Sequence, residues 1–108
     1  MKSESDARLL TIYVNSTDQH HGKPLYSAIV HLCHERGIAG ATVFRAVEGY
    51  GAGGHIHTTR LLELSENLSV RIEIIDSPER IDALLPLLDQ MIPQGMIALA
   101  DVHVRRYK

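Results

Sequence analysis

The residues able to do chemistry fall into four groups. The densest is Gly49-Tyr50-Gly51-Ala52-Gly53-Gly54, four glycines in six residues. Glycine lets backbone N–H groups come close to a phosphate. No Gly-Lys-Ser/Thr follows and no helical pattern follows, so the stretch is neither a Walker loop nor a dinucleotide fingerprint. A phosphate-cradling loop and a plain flexible hairpin loop both fit it. His55 and His57 stand two apart and share one face of a strand, while His31 and His34 stand one helical turn apart. Such imidazoles suit zinc or copper; they also suit a solvated surface, and no carboxylate is spaced to complete a site nearby. Arg105-Arg106 reads either as a solubilising end or as a bidentate phosphate contact. Cys33 falls on the apolar stripe of a helix, where a free thiol behaves as a small hydrophobe. No nucleophile elbow and no paired carboxylates stand out, so the expectation is a protein that is not an enzyme.

The elements that must position these residues follow from periodicity. Leu9–Val14 alternates with both faces largely apolar and reads as a strand. Asn15–Gly22 is a polar loop. Pro24 suits a first helical position, and Leu25, Ala28, Ile29, Leu32 and Cys33 recur at helical spacing. Gly37 suits a left-handed cap, with Ile38 as the apolar residue after it. Ala41–Val47 reads as a second strand, Thr58–Leu64 as strand-like, and Leu68, Val70, Ile72 and Ile74 as the cleanest half-buried strand. Ser77 is an N-cap with Pro78 and Glu79 in the first turn. Ile81, Leu84, Leu85, Leu88 and Met91 form the stripe of a second helix that Pro93 and Gly95 end. Met96–Val104 is a last strand, and Arg105-Arg106-Tyr107-Lys108 a basic tail. The order β-α-β-loop-β-α-β describes an α+β, ferredoxin-like βαββαβ fold, an antiparallel sheet with two helices on one face.

Composition bounds the function class. The chain has 108 residues, 44% apolar, 22% charged and only 5% aromatic with no Trp, which suits one globular domain with an aliphatic core. The expected organisation is a single domain over 1–108, with 1–7 as a flexible lead and 49–58 as a flexible loop. A formal net charge of -2 argues against a nucleic-acid partner. The single cysteine excludes an internal disulfide and points to a reducing, cytoplasmic setting. No apolar run approaches the roughly 20 residues of a membrane span. Strands apolar on both faces, with helices for only one face, predict self-association.

The runs Gly22-Lys23-Pro24-Leu25-Tyr26-Ser27-Ala28-Ile29, Gly37-Ile38-Ala39-Gly40-Ala41-Thr42-Val43, Glu48-Gly49-Tyr50-Gly51, Ile56-His57-Thr58 and Leu64-Ser65-Glu66-Asn67-Leu68 resemble domain-of-unknown-function family one hundred and ninety, which is described as PII-like. The resemblance runs from about Leu9 to Tyr107. PII proteins are ferredoxin-like trimers that bind adenine nucleotides between subunits and signal through a long loop between the second and third strands. The resemblance therefore implies a homotrimer, a small anionic ligand with an adenine nucleotide as the candidate, no other cofactor, and a regulated protein partner such as a membrane transporter. It implies ligand-binding positions at Gly40, Thr42, Gly49, Gly51, Arg105 and Arg106. Two departures stand out. Pro93-Gln94-Gly95-Met96 is shorter than the PII phosphate loop and has no lysine, and Tyr50 lies at the loop base rather than at a modification site. The alternative reading is a trimeric metal-binding protein of copper or zinc tolerance that uses His55 and His57.

Overall fold

The computed structural model describes residues 2–51, 56–58 and 68–107. Six principal elements follow one another: β1 Lys2–Asn15, α1 Leu25–Glu35, β2 Ala41–Arg45, β3 Ser69–Asp76, α2 Pro78–Met91 and β4 Met96–Tyr107. The four strands form one antiparallel sheet in the order β2-β3-β1-β4. This is the ferredoxin-like βαββαβ arrangement that the periodicity predicts.

The core sits between one sheet face and the helices. Leu10, Ile12 and Val14 of β1 lie opposite Ile74, Ile72 and Val70 of β3. Partners across a ladder share a face, so these six side chains form one apolar surface. Leu25, Ile29 and Cys33 of α1 and Ile81, Leu84 and Leu88 of α2 complete the same buried cluster. Each helix thus buries the stripe that its spacing marked.

The helix ends are built as expected, with one shift. Pro24 takes the N-cap position of α1, one residue before the helix begins. At the other end, Gly37 has φ +73°. The Gly37 N–H donates to the His34 carbonyl at 3.2 Å, and the Ile38 N–H to that of Cys33 at 3.0 Å. That pair of bonds is a Schellman cap. The Ser77 hydroxyl caps α2 by accepting from the Arg80 N–H at 3.3 Å.

Both ends of the chain differ from expectation. Residues 1–7 were expected as a flexible lead, but Lys2–Ala7 runs as strand paired with Val102–Tyr107. Arg105-Arg106-Tyr107 is accordingly the end of β4 and not a free tail. Polar residues such as Ser3, Glu4, Ser5 and Asp6 carry no hydrophobic alternation, so periodicity could not show this strand. Cross-strand polar contacts support it instead: His103 lies 3.2 Å from both Glu4 and Asp6. Just beyond, Arg8 reaches Asp101 of β4 at 3.3 Å and Asp82 of α2 at 2.6 Å.

Among the described residues, two short antiparallel ribbons accompany this sheet. Gln19–His20 pairs with Lys23–Pro24. Its two linking residues, His21 and Gly22, have φ +50° and +79°, the backbone of a type I′ turn. Glu48–Gly49 pairs with His57–Thr58, so the base of the expected 49–58 loop is closed as a ribbon. Gly53, Gly54, His55 and most of the Thr58–Leu64 segment lie outside the described residues.

Candidate ligand-binding site

Side chains alternate along strands, so the face opposite the core is legible from register. Leu9, Thr11 and Tyr13 of β1 lie on it, opposite Ala100, Ala98 and Met96 of β4 and Ile75, Glu73 and Arg71 of β3. Thr42 and Phe44 of β2 extend it to the far edge. Phe44 is 41% and Met96 57% exposed, since both helices pack on the other side.

A pocket of about 240 Å³ opens on this face. Ala39 and Gly40 come from the α1–β2 loop, Thr42 from β2, Glu73 and Ile75 from β3, and Val104 and Arg106 from the outer end of β4. Two strands separate β2 from β4 in the sheet. The accumulated twist of the long β1–β4 ribbon carries Arg106 back over the sheet toward the loop.

The loop wall is held from outside. Asp76, the last residue of β3, accepts the Ala39 N–H at 2.9 Å and the Ser77 N–H at 2.7 Å. The Arg80 guanidinium, one turn into α2, donates to the Gly37 carbonyl. One carboxylate and one guanidinium therefore fix residues 37–39 relative to β3 and α2. A Cβ added at Gly40 would meet nothing within 4 Å, so the space beside this backbone is open to a ligand.

The polar groups of the pocket have distinct roles. Arg106 supplies a guanidinium, and Thr42 a hydroxyl. Glu73 is offset by Arg71, whose Nε stands 3.3 Å from its carboxylate. That approach is an ion-pair contact without hydrogen-bond geometry, which leaves Arg71 Nε buried and without a hydrogen bond. The Arg71 guanidinium lies over the Phe44 ring at 4.5 Å from its centre. Ile75 and Val104 add an apolar wall. The pocket can thus hold a small molecule with one apolar portion and one anionic or hydrogen-bonding portion.

The sequence-derived positions divide as follows. Gly40, Thr42 and Arg106 meet in this pocket. Arg105 faces the other way by strand alternation, where its guanidinium lies 5.6 Å from the Tyr107 ring centre. Gly49 lies in the short ribbon and Gly51 follows it; neither lines the pocket. His57 lies opposite Gly49, and His55 falls outside the described residues. Among the described residues, no group of three histidine, cysteine or carboxylate side chains is placed to hold a metal ion. Glu73, Ile75 and Val104 were not expected at the site. Parity would have found them: Glu73 and Ile75 share one face of β3, and Val104 and Arg106 one face of β4.

Cys33 is 2% exposed, and burial pushes its thiol up to about 11. It is a core residue, as its place on the α1 stripe predicts. No helix among the described residues is long and apolar enough to cross a membrane.

Residues 7–104 match the family described as Uncharacterized ACR, DUF190. A UPF0166 protein of Aquifex aeolicus is 39% identical over 97 residues, covering 90% of this chain and 91% of that protein. Among solved structures, CPII of Thiomonas intermedia, a nitrogen regulatory PII-like protein bound to ADP, AMP and bicarbonate, superposes with a TM-score of 0.66. It is 18% identical, with 94% of this chain and 91% of that one covered. The divalent ion tolerance protein CutA1 of Ehrlichia chaffeensis gives 0.61 at 16% identity, with 89% and 80% covered. At these identities the structural likeness establishes the shared fold.

Proposed function

The chain belongs to the DUF190 family, and from that footing we propose that it is a PII-like regulator, not an enzyme, that binds a small anionic ligand of the adenine nucleotide type at a site completed by a second subunit. The carrying observation is the convergence of Gly40, Thr42 and Arg106 from three separate elements on one pocket. Its volume, about 240 Å³, is below the roughly 300–1,000 Å³ usual for small-molecule sites. A half-site finished by another copy accounts for that shortfall. The apolar sheet face beside it, with Met96 and Phe44 exposed, supports a closed homotrimer as the assembly. The bound ADP and AMP of CPII support the ligand class. The Gly49–Thr58 loop would present a partner surface that differs between the free and liganded states; a membrane transporter is the partner type we propose, in a cytoplasmic setting.

Calorimetry with ATP, ADP and AMP tests this. A charge-assisted hydrogen bond contributes roughly 1.5–3 kcal/mol, so Arg106→Ala should weaken nucleotide binding by at least about tenfold. Arg105→Ala should leave it within about twofold, because alternation sends that side chain to the opposite face. Absence of binding by the parent protein would remove the nucleotide reading, and equal losses in both variants would remove this pocket. A monomer by light scattering at micromolar concentration would remove the shared site.

A further inference from the structure

A second pocket, of about 450 Å³, lies on the far side of the molecule between the Gln19–Pro24 ribbon, the exposed side of α1 and the end of α2. Its titratable lining is His20, His21 and Lys23 from the ribbon and His31 and Glu35 from α1, and α2 contributes Met91 alone. Ala28 and Leu32 form part of its floor. The His20 and His21 rings are stacked, with centres 4.1 Å apart and planes 13° from parallel.

We infer that this pocket binds a phosphate-type oxyanion, with proton uptake by its histidines. Histidine 21 occupies the first central position of the type I′ turn, at φ +50°, where Asn, Asp or Gly closes such a turn more readily. The turn sets this imidazole flat against that of His20 and beside the mouth lined by Lys23 and His31. Two stacked imidazoles repel one another when both are charged, unless an anion lies against their N–H edges. Lys23 supplies a permanent positive charge, offset by Glu35, so the balance of the pocket is decided by the three imidazoles. An imidazolium donates from both ring nitrogens, and its bonds to an oxyanion are charge-assisted. Among the described residues these side chains form no group of three placed to hold a metal ion, and nitrogen donors gathered around one pocket suit an oxyanion.

The test uses the full-length chain with inorganic pyrophosphate as the probe, titrated calorimetrically at about pH 6 and about pH 8, on either side of the ordinary histidine range. Binding should be at least about tenfold tighter at the lower pH, with proton uptake seen as a buffer-dependent heat. The double variant His21→Asn with His31→Gln keeps a favourable turn residue and removes two imidazoles; it should lose the binding while keeping the parent's melting temperature. Arg106→Ala should keep it, which separates this pocket from the nucleotide site. The proposal is overturned by no binding at the lower pH, by unchanged affinity in the double variant, or by the opposite pH trend. It is also overturned if zinc chloride, titrated alone, binds in a manner lost in the double variant while pyrophosphate does not bind.

Discussion

Replacing Gly95 with alanine should destabilise the protein severely, and for a reason that bears on the candidate site. Gly95 precedes β4 and has φ +150°, a backbone region that is costly for a residue with a side chain. A Cβ there would overlap the backbone carbonyl oxygen of Tyr13 and come to 3.2 Å from Val14 Cγ1. Tyr13 pairs with Met96 at the first rung of the β1–β4 ladder, so neither backbone can yield without opening that rung. Backbone strain costs roughly 1–3 kcal/mol, and overpacking roughly 1–3 kcal/mol more. The loss should be about 2–6 kcal/mol, against a usual total of roughly 5–15 kcal/mol. For a domain of this size that lowers the melting temperature by roughly 10–25 °C. Gly40→Ala is the control: its Cβ meets nothing within 4 Å, so its stability should stay within about 0.5 kcal/mol of the parent. Urea denaturation of the three proteins decides. A Gly95→Ala midpoint matching the parent would refute the reasoning, as would an equal loss in Gly40→Ala. The same clash explains why a glycine stands in Pro93-Gln94-Gly95-Met96, a stretch that lacks the lysine of a PII phosphate loop.

Two further outcomes are expected. Cys33, buried and with its thiol raised to about 11, should react with a disulfide reagent near about pH 8 only at the rate of unfolding; rapid labelling of the native protein would show that α1 opens. The His103 imidazole is raised by hydrogen bonds to Asp6 and then Glu4. Its stabilisation of the β1–β4 end is therefore complete below the unfolded histidine value and lost as pH rises through the folded one. Amide protection factors over Lys2–Ala7 should fall as pH rises above about 6.5, the ordinary histidine value, and Asp6→Asn with Glu4→Gln should flatten that change.

What the sequence made legible was whatever apolar spacing encodes. Leu68, Val70, Ile72 and Ile74 alternate, and all four are buried. Ile81, Leu84 and Leu88 recur at helical spacing, and all three meet the sheet. The strand ends were not legible, because Lys2–Ala7 and Arg105–Tyr107 are joined by backbone pairing and by His103 with its two carboxylates, none of which leaves a hydrophobic period. The site was half legible for a related reason. Gly40 and Thr42 follow from a chain motif, but the selection of Arg106 over Arg105 depends on the phase of β4. That phase is set across the ladder, by Ile97 opposite Ile12 and Leu99 opposite Leu10. A one-residue slip would exchange the two arginines between faces.

That phase ties the core to the pocket. Ile97 packs against the core cluster, which sends every even-numbered β4 side chain, Met96 through Arg106, to the helix-free face. The hydrophobic demand of one side of the sheet thereby decides which cation reaches the other. The same alternation leaves Ala98 and Ala100 exposed there, small side chains that let another surface approach closely, while Val104 and Arg106 line the pocket beyond them. A partner surface laid against the alanines would approach the open side of that pocket. Under this geometry, enlarging Ala98 or Ala100 should weaken assembly and ligand binding together, whereas a change confined to Arg106 should weaken ligand binding alone.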